Sequence, residues 1–282
     1  MYRRRYWDDY YQKRYVPAHK KMKIIWARYL RSAKKRYVAR AEKLLKEEVG
    51  KSVVDGYMIK NGESFVVVDD WSELEAEKEE KKQIEKLVWD TYRKLYTVIG
   101  QDELDKVMKT AGLDPVEFRI IIGRVEKGVF ADVYNWVKKN VGRVAREVAH
   151  TTKKIIRRLV NRGREEGKTK SDIIKEIRKS PVFDKSRLEN ITRTETTRTI
   201  NGAIDSAYVQ AEEIGVKIKK IWITENDDRV RESHVELDGL MVAVTGEFVT
   251  GSGATSFRPG EFGIAEEDCN CRCVIGYVEI RE

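Results

Sequence analysis

The sequence predicts an α+β protein: a mainly helical N-terminal domain followed by a small α+β C-terminal module with a long helix and short β-strands. Three observations lead there. Apolar residues recur at steps of three or four through most of the first 150 positions, as on one face of a helix. A second long helical pattern, from about Asp184 to Ile214, stops at Gly215. Beyond Gly215 the texture turns to short β-prone runs separated by turn residues. The 282 residues leave room for two domains of roughly 100–200 residues each, and the division is drawn at 1–150 and 151–282. Hydrophobic residues are 41% of the chain and charged residues 37%, and no apolar run reaches the ~18–20 residues of a bilayer span. Met1-Tyr-Arg-Arg-Arg-Tyr-Trp7 also lacks the apolar block of a secretory signal, so no membrane partner is expected.

Taken in order, Trp7, Tyr10 and Tyr11 share a face of a short helix that Pro17 ends or kinks. Met22, Trp26, Leu30, Ala33, Tyr37, Ala41 and Leu44 extend an apolar stripe along the next helix, backed by Lys23, Arg28, Arg31, Lys34, Lys35, Arg36 and Arg40. Such a stripe either packs on the protein's own helices or docks another chain. Val53–Met58 and Ser64–Val68 flank Asn61-Gly62, a hairpin signature that places a small hairpin near 53–68. Helix resumes from Ser72 to Ile99 and is closed by Gly100. Asp114-Pro115 starts further helix from Val116 to Val148, interrupted near Gly123, Gly128 and Gly142. A basic helix from Thr151 leads to Gly167-Lys-Thr-Lys-Ser171, where a Thr or Ser cap opens a short helix bearing Ile173, Ile174 and Ile177. In the 184–214 helix, Glu195 falls on the face of Leu188, Ile191, Ala203, Ala207 and Ala211, and a carboxylate buried there requires a partner. The β-prone runs are Lys219–Thr224, Leu240–Val244, Glu247–Val249 and Val274–Ile280.

Charge is distributed unevenly. Residues 1–50 hold 16 Lys/Arg against 5 Asp/Glu and residues 151–200 hold 15 against 7, whereas residues 201–282 hold 8 against 16. Two basic blocks in a chain of net charge +9 suit a polyanion. Arg3, Arg4, Arg5, Lys34, Lys35, Arg36, Lys153, Lys154, Arg157 and Arg158 are the candidate contacts, facing double-stranded DNA without sequence preference. Trp7, Tyr10, Tyr11 and Trp26 are the candidate protein-docking anchors.

The densest cluster of chemistry is Trp222-Ile-Thr-Glu-Asn-Asp-Asp-Arg-Val-Arg-Glu-Ser-His234, followed by Leu237-Asp238-Gly239. Asp227 or Asp228 is expected to cap a short helix that sets Arg231 beside His234, and Arg231 is then the natural partner of Glu195. Cys269-Asn-Cys271-Arg-Cys273 is too local for a secreted disulfide framework, and alternation along an extended segment points its three thiols to one side. His234 with Cys269, Cys271 and Cys273 would supply four soft ligands for a structural zinc. The competing reading is buried cysteines beside a histidine satisfied by a backbone or carboxylate partner.

At these residues the sequence resembles the phage minor head, or head-morphogenesis, proteins typified by the F protein of phage Mu. The resemblance rests on Arg193-Thr194-Glu195, Trp222-x-Thr224, Asp228-Arg229-Val230-Arg231-x-x-His234, Leu237-Asp238-Gly239, Phe248, Pro259-Gly260 and Cys271-Arg272-Cys273, in that order. It covers roughly the last 130 residues, and Cys269 is an extra thiol beside the shared pattern. It implies a minor capsid protein that docks on the portal inside the head, with the major capsid or scaffolding protein as further partners and host cytoplasm as the place of assembly. The motif residues then have structural roles. The alternative is a prophage-encoded, metal-dependent DNA-processing or toxin-like enzyme with an acid/base cleft of Arg193, Glu195, Asp228, Arg231 and His234. The sequence has no Gly-rich phosphate loop or nucleophile elbow, and a filled Cys/His set leaves no open metal position, so no catalytic residue is assigned.

Overall fold

The computed structural model describes residues 2–47, 58–60, 63–65, 73–113 and 115–280, in an α+β arrangement that is mostly helical. Helices α1 (Tyr2–Tyr10) and α2 (Val16–Glu47) run on from one another through a π-helical turn, Tyr11–Tyr15. The break expected at Pro17 is therefore absent. The wide turn lets the Val16 N–H reach back to the Tyr11 carbonyl, and this relieves the clash a proline ring makes with the carbonyl four residues earlier.

Strands β1 (Met58–Lys60) and β2 (Glu63–Phe65) pair antiparallel from Met58↔Phe65 to Lys60↔Glu63, as the hairpin reading expects. Asn61-Gly62 itself lies outside the described residues, as does Asp114. Helix α3 (Glu73–Thr110) passes through Gly100 without stopping, and α4 (Pro115–Glu165) passes through Gly123, Gly128 and Gly142. At Gly100 the missing side chain serves packing: a Cβ there would meet the Ala203 carbonyl oxygen at 3.3 Å.

Helix α5 (Lys170–Lys179) opens on Thr169, whose hydroxyl accepts the Asp172 N–H at 3.2 Å, and buries Ile173, Ile174 and Ile177. Helix α6 (Lys185–Glu213) ends as Gly215 turns to φ +90. Then follow β3 (Ile218–Ile223), α7 (Glu232–Val235), β4 (Met241–Ala243), β5 (Phe248–Val249), β6 (Thr255–Ser256), α8 (Ala265–Asp268) and β7 (Val274–Glu279). The order β4-β3-β7 forms an antiparallel sheet with Ile221↔Met241 and Trp222↔Ile275 in register, while β5 and β6 form a separate hairpin.

The expected boundary near residue 150 falls inside α4, and the chain divides differently. One compact unit comprises residues 1–24, 89–139 and 189–282, and the other 25–88 and 140–188. Long helices make such interleaving natural, because each contributes different turns to different cores. In the first unit Ile200, Ile204 and Tyr208 of α6 are buried, as are Trp222 and Ile275 of the sheet. Buried Glu103 accepts the hydroxyls of Tyr208 (2.8 Å) and Tyr6 (3.0 Å) and pairs with Arg14. In the second unit Tyr29, Tyr37, Ile84, Val88, Ile156 and Val160 form the core, and fully buried Glu80 takes Arg36 at 2.7 Å, Arg40 at 3.0 Å and the Tyr29 hydroxyl at 3.1 Å.

Two helical glycines give predictions of opposite sign. A Cβ on Gly202 would lie 2.7 Å from the Trp136 ring, whose indole N–H is held by Glu261 at 3.2 Å, so Gly202→Ala should cost about 1–3 kcal/mol by overpacking. A Cβ on Gly142 would meet only the tip of Arg146 at 3.9 Å, so Gly142→Ala should stabilise by up to about 1 kcal/mol through helix propensity. Urea denaturation of both variants checks the pair.

Candidate functional site

From Thr194 to Asp205 every residue of α6 is buried, although many are polar. Each buried polar group then requires a partner. The hydroxyls of Thr196 and Thr199 bond carbonyls four residues back, both at 2.7 Å. The others reach outward. Thr194 accepts the Asn270 N–H at 3.0 Å and Thr197 donates to the Cys271 carbonyl at 2.7 Å. Asn201 donates to the Cys273 carbonyl at 3.1 Å while its own oxygen accepts the Ile275 N–H at 3.0 Å. Thr194, Thr197 and Asn201 are three and four residues apart and so share one helix face. That face acts as the hydrogen-bonding neighbour of the segment leading into β7.

Arg198 sits in the same layer. Its Nε donates to the Gly260 carbonyl at 2.8 Å, one Nη pairs with Glu195, and the other lies 3.5 Å from Asp268. Tyr92 donates to Glu195 at 3.0 Å, and Asp268 accepts the N–H groups of Phe262 (2.8 Å) and Gly263 (2.9 Å). Gly260 has φ +87, and a Cβ there would press on the Arg198 backbone at 3.4 Å, which accounts for the Pro259-Gly260 signature.

The expected Glu195–Arg231 pair is not made. Arg231 is the N-cap of the four-residue helix α7, in extended backbone, and its guanidinium donates to the Cys269 carbonyl. Arg198, one turn along α6 from Glu195, already occupies the buried layer. Neither Asp227 nor Asp228 caps α7: Asp227 accepts the Arg229 N–H at 3.1 Å and pairs with Arg272 at 2.8 Å, and Asp228 is exposed. Asp238 accepts both the N–H (2.9 Å) and the hydroxyl (3.1 Å) of Thr224. Gly239, at φ +84, donates to the Trp222 carbonyl at 2.9 Å, so the turn is clipped to β3. Arg193 is partly exposed, with Glu189 and Asn270 each 3.5 Å away.

His234, Cys271 and Cys273 converge. All three are buried, and their ligand atoms lie within 4.8 Å of one another. His234 Nδ1 is 3.6 Å from each sulfur. Its Nε2 is 3.1 Å from the Glu267 carboxylate, an ion-pair distance without hydrogen-bond alignment, and Ser233 donates to that carboxylate at 2.8 Å. Trp222 meets the imidazole edge-on at 5.4 Å and Phe262 stacks on it at 5.6 Å. A hydrogen bond from Cys273 draws the Cys271 thiol below its usual pKa, with His234 acting in the same direction, and burial pushes Cys273 up. Cys269 does not join the set. It is exposed, because Asn270 turns to φ +59 and breaks the alternation that would have aligned three thiols.

The surface candidates are dispersed. Trp7, Tyr10 and Trp26 are buried and Tyr11 is half-buried in a stack between Trp7 and Tyr15, so the aromatic stripe is interior packing and not a set of exposed anchors. Arg36 is committed to Glu80, and Arg4 pairs with Asp8 at 3.3 Å. Arg5 is exposed, and the Arg3 side chain lies outside the described residues. Lys34 and Lys35 line a groove of 770 Å³ with Arg28, Arg31 and Arg178. Lys153, Lys154, Arg157 and Arg158 line another of 450 Å³ with His150 and Arg162. Both grooves belong to the second unit.

The motif order, the α6 face and the Cys-Arg-Cys segment together define one C-terminal α+β module. Residues 154–276 match the family described as Phage Mu protein F like protein, and this stretch is a Mu F-like domain of the phage head-morphogenesis family. Three curated proteins are similar to parts of the chain. NAD(+)–arginine ADP-ribosyltransferase EFV of Enterococcus faecalis is 39% identical over 108 residues, 38% of this chain and 22% of that protein. Minor head protein GP7 of Bacillus phage SPP1 is 30% identical over 113 residues, 40% of this chain and 36% of that one. The uncharacterized protein YqbB of Bacillus subtilis is 26% identical over 171 residues, 59% and 52% of the two chains. The chain thus spans between about a fifth and a half of the length of these relatives. No solved structure matches it.

The two arginines give a direct contrast. Arg198→Met leaves the Glu195 and Asp268 carboxylates buried without their guanidinium and should cost about 3–5 kcal/mol. Arg231→Ala removes a half-exposed side chain whose described bond is to one carbonyl, and should cost about 1 kcal/mol. Equilibrium denaturation of the two variants separates these values.

Proposed function

We propose that this chain is a minor head protein of a phage or prophage, docked on the portal inside the head and touching packaged double-stranded DNA without sequence preference. The observation that carries this reading is the Mu F-like domain at residues 154–276, supported by the similarity to a phage minor head protein. The role is assembly, in the host cytoplasm and then in the virion, with the portal as the chief partner and the major capsid or scaffolding protein as further contacts. Co-expression with the portal protein of the same genome should yield a complex that elutes with the portal ring, and portal rings that elute without it would contradict the docking.

DNA contact is assigned to the two basic grooves of the second unit, with the Lys153 to Arg158 cluster at the centre of one. Neutralised phosphates release counterions, so affinity for duplex DNA should fall steeply with salt, with a log–log slope of about −0.9 per phosphate contacted. Replacing Lys153, Lys154, Arg157 and Arg158 by Gln should flatten that slope by about two to four units. An unchanged slope in fluorescence anisotropy titrations would remove this groove from the interface.

The similarity to an ADP-ribosyltransferase supports a second reading, a prophage-encoded enzyme. The shared stretch is 22% of that protein, and a stretch of similar size is shared with a minor head protein, so the reading that covers both is a common non-catalytic module. Transfer of labelled ADP-ribose from NAD to arginine by the purified chain would favour the enzyme.

A further inference from the structure

We propose that His234, Cys271 and Cys273 bind one Zn²⁺ through Nδ1 and the two Sγ atoms, and that the ion ties α7 to the segment entering β7. The distances fit. Zinc takes nitrogen at 2.0–2.1 Å and thiolate at about 2.3 Å, so tetrahedral geometry places the nitrogen about 3.6 Å from each sulfur. Both observed separations are 3.6 Å. A lone N–H on Nδ1 has one direction and serves one acceptor, so equal approach to two sulfurs fits a shared ion better than a hydrogen bond.

The surroundings fit as well. Cys-x-Cys on an extended run turns both thiols to one side, and Thr197 and Asn201 hold that run by the carbonyls of Cys271 and Cys273 themselves. The far nitrogen of the imidazole lies 3.1 Å from Glu267, within reach of a carboxylate that would orient a metal-bound histidine and raise its basicity once its N–H is aligned on it. Trp222 and Phe262 pack against the ring and shield it from bulk water. Two thiols and an imidazole are soft donors that suit Zn²⁺ over Mg²⁺ or Ca²⁺. Cys269 is excluded from the set.

The test uses the full chain, purified without chelator and assayed for metal, then stripped and titrated with Zn²⁺ and Co²⁺. One equivalent of zinc per chain is expected, with cobalt giving tetrahedral d–d absorption and a thiolate-to-metal charge-transfer band. Cys269→Ser should leave both unchanged, and Glu267→Gln should weaken zinc by about 10–100-fold. Absence of bound zinc together with absence of the charge-transfer band in the wild-type chain would overturn the site, a result that needs no variant to fold. Loss of binding in Cys269→Ser would overturn the three-ligand assignment, and unchanged affinity in Glu267→Gln would overturn the orienting role given to Glu267.

Discussion

The buried guanidinium of Arg198 is the constraint on which the C-terminal part of the molecule depends. It joins α6, where it pairs with Glu195, to the stretch 62 to 70 residues further on that carries the Gly260 carbonyl and Asp268 at the end of α8. Asp268 in turn fixes the amides of Phe262 and Gly263, so the loop between Pro259 and Cys269 is shaped around one cation. Burying such a group is unfavourable unless all its donors find acceptors, and the same requirement makes the arrangement specific. A slip of α6 by one residue would leave several buried charges and amides unmatched.

The adjoining face of α6 extends this logic from charge to backbone. Thr194, Thr197 and Asn201 satisfy the peptide groups of Asn270, Cys271, Cys273 and Ile275, where a strand neighbour would otherwise be needed. Through them the helix sets the Cys-Arg-Cys segment, and that segment presents two thiols to His234. The histidine arrives by another route, on a turn clipped to β3 by Asp238 and Gly239. Pro259-Gly260 and Cys271-Arg272-Cys273, motifs far along the chain from Arg193-Thr194-Glu195, thus meet α6 through Arg198, Thr197 and Asn201.

Much of this was legible in the sequence. The α5 cap, the end of α6 at Gly215 and the short strands follow from local signals, namely a cap residue, a helix-stopping glycine and β-prone runs. Glu195 could be placed on a buried face by periodicity alone, but not its partner. Arg198 carries the obvious signal, a cation one helical turn away within Thr194-Glu-Thr-Thr-Arg-Thr199, a run too polar for a buried helix unless its groups are paired. Arg231 is expected inside a short helix capped by Asp227 or Asp228, whereas α7 begins only at Glu232 and leaves Arg231 at its N-cap, with its guanidinium on the Cys269 carbonyl. Long-range packing decided the rest. Helices that run through Pro17, Gly100 and Gly142 are stabilised by buried faces that outweigh a local breaker, and the aromatic stripe of the first helices proved to be core because the matching helix turns lie far along the chain.

Native-state hydrogen exchange tests the central claim most directly. If α6 organises the C-terminal part through Arg198 and its polar face, the amides of Phe262, Gly263, Asn270 and Ile275 should exchange with the same opening free energy as the interior amides of α6, although the first three lie in loops. Exchange of those loop amides at rates near those of unstructured chain, with α6 still protected, would contradict it.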